Sequence, residues 1–199
     1  MTNSLTKIFL LRLARRTIAE LLKLDWETYL NAPEDIQAAT SDIILTEYRG
    51  TFVTLTKEDE LRGCIGQIQP NESIIDTIKE NTISAAFRDY RFPPLSKNEF
   101  MKTIIEISIL TKPEEIEYTN SQDLLDKIIN KKDGIIIKKG VKTATFLPQV
   151  WDDLEDKKEF LTQLCIKAKL EPFEWENEKL IVKKYNVEHF SEDEFNLVI

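Results

Sequence analysis

Glycine is scarce in this chain, and two of its five glycines stand three residues apart in Leu61-Arg62-Gly63-Cys64-Ile65-Gly66. Glycine in a strand-like run gives up side-chain packing and backbone entropy, so it is kept where a bulge or a close approach requires it. The run therefore reads as a strand past which something packs tightly. It also holds one of only two cysteines. Cys64 is thus the thiol whose surroundings are most constrained.

The elements around that strand follow from periodicity. Leu5, Ile8, Phe9, Leu13, Ile18, Leu21 and Leu22 recur at helical spacing and predict a helix from Ser4 to Leu24. Its Arg12, Arg15 and Arg16 read as a solvated flank with an Arg16–Glu20 pair rather than a phosphate-binding stripe. Asn31 to Thr46 reads as a connecting segment. Thr51 to Thr56, the polar turn 57–60 and Leu61 to Ile68 predict a hairpin with the glycine motif on its second arm. Asn71 is placed to cap a helix that runs to Phe87 and stops at Arg88-Asp89-Tyr90-Arg91-Phe92-Pro93-Pro94-Leu95, where two prolines force an extended exit.

Downstream, Ile104 to Leu110 alternates as a half-buried strand should, and Lys112-Pro113 reads as an internal joint. Ser121 is expected to cap a helix through Ile129. Strands follow at Ile135–Ile137 and Ala144–Leu147, and Asp153 is expected to cap a helix through Leu170. Cys165 lies on the apolar face of that helix and reads as core. A final strand at Leu180–Val182 leaves His189 beyond it as an exposed residue. Strands and helices joined by hairpins and short loops predict an α+β fold with mainly antiparallel pairing.

Composition narrows the chemistry. Two cysteines and one histidine are too few for a Cys/His zinc site; a carboxylate-bound magnesium or manganese ion stays open, and no residue is assigned as a metal ligand. A net charge of −8 argues against nucleic acid or an anionic membrane as the partner. Lys131, Lys132, Lys138, Lys139 and Lys142 read as a solvated hairpin rather than an RNA-contacting edge. No apolar run reaches the roughly 20 residues that span a bilayer, and Arg12, Arg15 and Arg16 interrupt the N-terminal stretch, so the expected location is cytoplasmic. The richness in Ile, Glu and Lys has a thermophile character. No P-loop or dinucleotide fingerprint is present, and the cofactor is unknown.

Leu61-Arg62-Gly63-Cys64-Ile65-Gly66, Asp89-Tyr90-Arg91-Phe92-Pro93-Pro94-Leu95 and Leu147-Pro148-Gln149-Val150, in that order, resemble the AMMECR family, whose prokaryotic members are called AmmeMemoRadiSam system protein A. Trp151-Asp152, the helix ending in Leu164-Cys165-Ile166-Lys167-Ala168 and the aromatic C-terminal strand are also similar, so the match runs from about Ile8 to about Phe190. Tyr90 stands where a smaller residue or proline is common, and Cys165-Ile166 replaces a more polar pair. The resemblance implies one domain over residues 1–199, built as two intimately packed lobes of antiparallel sheet flanked by helices. It further implies a setting shared with a Memo-like protein and a radical S-adenosylmethionine protein. It brings no established activity; enzymatic, transcription, repair and translation roles have all been suggested for the family.

On a regular strand Arg62, Cys64 and Gly66 share one face, so Arg62 is expected beside the thiol with open space at Gly66. A guanidinium in that position favours thiolate over thiol. Arg88, Asp89 and Arg91 are expected to fold back over the same face. The functional expectation is a cleft for an anionic small molecule, with Cys64 as nucleophile or thiol ligand and Asp89 as orienting group or base. Arg62, Gly63, Gly66, Arg88 and Arg91 would line it and hold carboxylate or phosphate. The bland reading makes Cys64 a small buried residue, Arg62 an ion partner of Asp89, and the proline segment a rigid corner. A non-catalytic module that docks on a Memo-like or radical enzyme partner is the rival, and a nucleic-acid-associated regulator ranks last.

Overall fold

The computed structural model describes residues 2–24, 42–177 and 180–197. It is an α+β protein with two four-stranded antiparallel sheets and helices packed against them. The chain divides into two compact units, Met1–Leu110 with Glu188–Ile199, and Thr111–Val187.

The first unit begins with helix α1 (Ser4–Leu21), capped by Asn3, whose side chain accepts from the Thr6 amide. A 3-10 turn at Ile43–Thr46 leads to β1 (Thr51–Lys57) and β2 (Glu60–Gln67), the expected hairpin. Of the expected connecting segment, residues 31–41 lie outside the described residues. Helix α2 (Ile74–Phe87) follows, then the short α3 (Lys97–Phe100), β3 (Thr103–Leu110) and, from the C-terminal end, β8 (Val187–Ser191). The sheet runs β2-β1-β3-β8, which leaves β2 at an edge. One face is buried: Val53, Leu55, Ile105, Ile107 and Phe190 meet Leu10, Ala14 and Ile18 of α1 and Ile74, Ile78 and Ala85 of α2.

The second unit orders its sheet β4-β7-β5-β6, with β4 (Glu114–Glu115), β5 (Gly134–Lys139), β6 (Lys142–Phe146) and β7 (Ile181–Tyr185). Helices α4 (Ser121–Lys127) and α5 (Lys157–Lys167) supply Leu124, Leu161 and Leu164 to its core. Trp151 stacks on Phe160 at 3.6 Å between ring centroids and donates from Nε1 to the Asp133 carbonyl at 2.7 Å. Cys165 is fully buried in this core, as expected.

Three helix starts differ from expectation by one to three residues. Ser73, not Asn71, accepts from the third amide of α2; Asn120, not Ser121, caps α4; Asp156, not Asp153, caps α5 through the Lys158 and Glu159 amides. In each case the cap is the last extended residue whose side chain can reach back to a free amide. Near α5 the start is delayed because Pro148–Asp152 closes a 3-10 turn that buries Trp151.

Periodicity does not mark strand β8, and its composition explains why. Phe190 faces the core, so Glu188 points inward as well, which breaks the apolar alternation that marks a strand. Glu188 serves there as a tether, accepting from the Thr2 amide and hydroxyl and pairing with Lys7 at 3.0 Å. His189 takes the other face and is exposed. The arginine flank of α1 also departs from expectation at Arg15. Arg16 pairs with Glu20 at 2.7 Å, but Arg15 is only 2% exposed and binds the buried Glu192.

Candidate functional site

The hairpin is not regular at the motif. Leu55 pairs with Gly63, whereas Thr56 pairs with Leu61, so Arg62 is an extra residue in a β-bulge. The bulge shifts the alternation, and the expected same-face pair of Arg62 and Cys64 does not form. Gly63 turns toward α2, where a Cβ would stand 2.2 Å from the Ala85 carbonyl oxygen. Cys64 turns the other way, pairing with Thr54, whose hydroxyl donates to Sγ at 3.3 Å. Thr54 in turn lies opposite Glu106 on β3, so thiol, hydroxyl and carboxylate form one row across the sheet.

Gly66 leaves no opening either. A Cβ there would meet the Phe52 ring at 2.3 Å and the Thr51 carbonyl oxygen at 2.4 Å. Both motif glycines thus serve close packing, Gly63 against a helix backbone and Gly66 against a ring and its neighbouring strand.

Arg62 is buried, and its partner is Glu99 rather than Asp89. Nε donates to Glu99 Oε1 at 3.0 Å, and Nη2 donates to the Pro93 carbonyl at 2.7 Å. Glu99 completes a capping box with Ser96 at the start of α3, a pattern legible as Ser96-Lys97-Asn98-Glu99 but not singled out from the sequence. The Arg62 guanidinium beside it, and the Ser96 amide, hold the Glu99 carboxyl down at about 2. The Phe92 ring lies between the two motif arginines, 5.7 Å from Arg62 Cζ and 5.5 Å from Arg91 Cζ.

The residues after α2 close on the free edge of β2. The Cys64 amide donates to Asp89 Oδ2 at 3.0 Å, and Arg91 Nη2 donates to the Cys64 carbonyl at 3.1 Å. Arg91 also grips Asp89 through Nε at 2.9 Å and Nη2 at 2.7 Å. An ion pair thereby satisfies both outward backbone groups of one edge residue, as a neighbouring strand would. Asp89 is 1% exposed in its side chain and Arg91 41%, so the cationic member faces solvent. Hydrogen bonding from Arg91 holds the Asp89 carboxyl far below the usual carboxylate range, against the opposing effect of burial. Asp89 in turn raises the Arg91 guanidinium, chiefly by hydrogen bonding to it.

Arg88 does not join this group; its Nη1 donates to Glu80 at 2.6 Å on the exposed flank of α2. In the second unit, Lys131 and Lys139 pair with Glu155 and Glu174, and Lys142 donates to the Lys169 carbonyl at 2.5 Å. Among the described residues, no group of His, Cys, Asp and Glu could hold a metal ion, and no helix is long and apolar enough to cross a membrane.

Both depressed carboxyls imply acid sensitivity. Their unfolded forms titrate near 4.5 and 3.8 and so bind protons before the folded forms do. The stability they contribute is present above that range and falls as pH drops through it toward 2. Urea midpoints are expected to stay level from pH 7 to 5 and decline below about 4.5. Glu99→Gln should flatten part of the decline, and an unchanged acid profile in that variant would contradict the assignment.

A family model described as AMMECR1 matches residues 11–190. The chain is similar to protein MK0488 of Methanopyrus kandleri, with 37% identity over 94% of this chain and 88% of that protein. It is also similar to protein Mbar_A1807 of Methanosarcina barkeri, with 41% identity over 82% of this chain and 79% of the relative. Among solved structures, the uncharacterized protein PH0010 from Pyrococcus horikoshii superposes with a TM-score of 0.70 at 37% identity, covering 93% of this chain and 90% of that one.

Proposed function

The chain belongs to the AMMECR1 family, and from that premise we propose that it is an enzyme or enzyme component that binds an anionic small molecule beside Cys64. The observation that carries this reading is the fixed geometry of Arg91. Its guanidinium is locked by Asp89 and the Cys64 carbonyl, yet it is the exposed member of the pair. A pre-oriented guanidinium loses little entropy when it takes a carboxylate or phosphate.

In this reading Arg91 holds the anion and Cys64, half-buried and hydrogen-bonded by Thr54, presents its sulfur to the bound molecule. Asp89 is a positioning residue, because its oxygens are already occupied by the Cys64 amide and by Arg91. Arg62, Gly63 and Gly66 shape the support, and Arg88, paired with Glu80, takes no part.

The two thiols allow a direct test, since Cys165 is fully buried and serves as the inert reference. Alkylation by iodoacetate and by iodoacetamide, read by peptide mass mapping, gives a rate ratio that glutathione normalises. Cys64 should favour the anionic reagent about tenfold more than glutathione does, equivalent to about 1.4 kcal/mol. Arg91→Met should return the ratio to that of glutathione. A wild-type ratio equal to glutathione's would sink the reading.

Tyr90 favours a second reading. It is 95% exposed on the same loop, more than any other aromatic ring among the described residues. As a non-catalytic docking module, the chain would bind a Memo-like or radical S-adenosylmethionine protein through this ring. Purified partners should then associate at micromolar concentration, and Tyr90→Ala should weaken them without change in fold.

A further inference from the structure

The edge of β2 is closed at Cys64 and open one step further on. Outward-facing backbone groups recur every second residue, about 6.8 Å apart along an antiparallel strand. Cys64 turns its amide and carbonyl outward to Asp89 and Arg91, and the pairing from Cys64 to Gln67 is regular. Gly66 therefore turns its amide and carbonyl to the same side, where no strand lies and no described residue bonds to them. Arg91 holds the Cys64 carbonyl, two residues before Gly66, through Nη2, and its Nη1 carries two N–H groups that also lack a partner among the described residues.

From this juxtaposition we propose that the Gly66 edge binds the C-terminal residue of an extended peptide, with its terminal carboxylate on Arg91. The inference rests on the anion site proposed above and names its ligand class.

Direction and length both follow from the geometry. A strand antiparallel to β2 runs its C-terminus from Gly66 toward Cys64. Its last residue can donate its N–H to the Gly66 carbonyl and accept from the Gly66 amide through one carboxylate oxygen, which leaves the other oxygen for Arg91. It can go no further, because the Asp89–Arg91 pair already occupies the next outward groups. That stop disfavours an internal segment or the edge of a second copy, both of which would have to continue past Cys64. Backbone pairing supplies affinity and the carboxylate supplies selectivity for a chain end, as in other β-addition sites.

The test uses acetyl-Thr-Val-Thr-Val as a free acid, as its carboxamide, and with its last amide N-methylated, titrated into the full 15N-labelled chain. The free acid should shift the Gly66 amide and the Arg91 Nε–H resonance saturably. The carboxamide should bind at least tenfold more weakly, and the N-methyl probe at least fivefold more weakly. Arg91→Met should abolish the difference between acid and amide. Equal affinity of acid and amide for the wild type, or shifts that centre on another strand edge, would overturn the proposal. Sodium acetate separates the two levels. If acetate shifts Arg91 with the same affinity as the free-acid peptide, the peptide inference fails while the anion site stands. If neither shifts Arg91 and the iodoacetate preference is absent, both fail.

Discussion

Replacing Arg15 by Met should cost about 3–5 kcal/mol, the range expected when one member of a buried ion pair is removed. Both Arg15 and Glu192 are 2% exposed. The guanidinium bonds Glu192 through Nε at 2.8 Å and again through Nη2, and it reaches the Phe100 and Thr103 carbonyls at 2.8 and 2.6 Å. Glu192 also accepts from the Ile105 amide at 2.8 Å. Met fills much of the volume but leaves a buried carboxylate and two carbonyls short of a donor. Because the described tryptophans, Trp151 and Trp175, both lie in the second unit, their fluorescence is the wrong probe. Hydrogen exchange by mass spectrometry reads each unit separately. Peptides from β3 and α1 should lose protection while those from β5 and β7 keep it. The double variant Arg15→Met, Glu192→Leu should recover part of the loss, since it removes the orphaned charge. A loss below about 1 kcal/mol in the single variant would mean that the pair does not tie these elements together.

The second large effect is expected at Gly63→Ala, by overpacking rather than by loss of a contact. The new methyl would lie 2.2 Å from the Ala85 carbonyl oxygen and 3.1 Å from its carbon, so α2 must move off the sheet. Overpacking of this kind costs about 3 kcal/mol. Because the obstacle is backbone, Ala85→Gly should give no relief, which distinguishes this clash from one between side chains. The displacement should also pull Asp89, two residues beyond the end of α2, away from the Cys64 amide. Guanidinium denaturation and iodoacetate selectivity at Cys64 should therefore fall together. Wild-type stability in Gly63→Ala would show that α2 does not press on the strand.

The sequence exposed most of this architecture because its elements obey simple periods. The β1–β2 hairpin, α1, α2 and the core position of Cys165 all follow from spacing of apolar residues. What stayed hidden has specific causes. A bulge adds one residue without any change in composition, so Arg62 looked like a neighbour of Cys64 when it belongs with Glu99. Strand β8 hides because Glu188 occupies an inward position to hold Thr2 and Lys7. Arg15 reads as a surface charge because its partner stands 177 residues away. Pairing over such distances leaves no local mark. Asp89 and Arg91, by contrast, could be placed near Cys64 because the helix and proline corner limit where that loop can go.

One feature of the topology bears on how the protein is made. Its first sheet needs β8 at the C-terminal end, and the whole second unit is inserted between β3 and β8. During synthesis the nascent chain must release the inserted unit before the earlier sheet can receive its last strand and Glu192 its arginine. The inserted unit can finish early, whereas the portion that carries Cys64 waits with an open flank. A ribosome pause or a proteolytic nick between β7 and β8 would thus leave unfinished a sheet whose other three strands had already been translated.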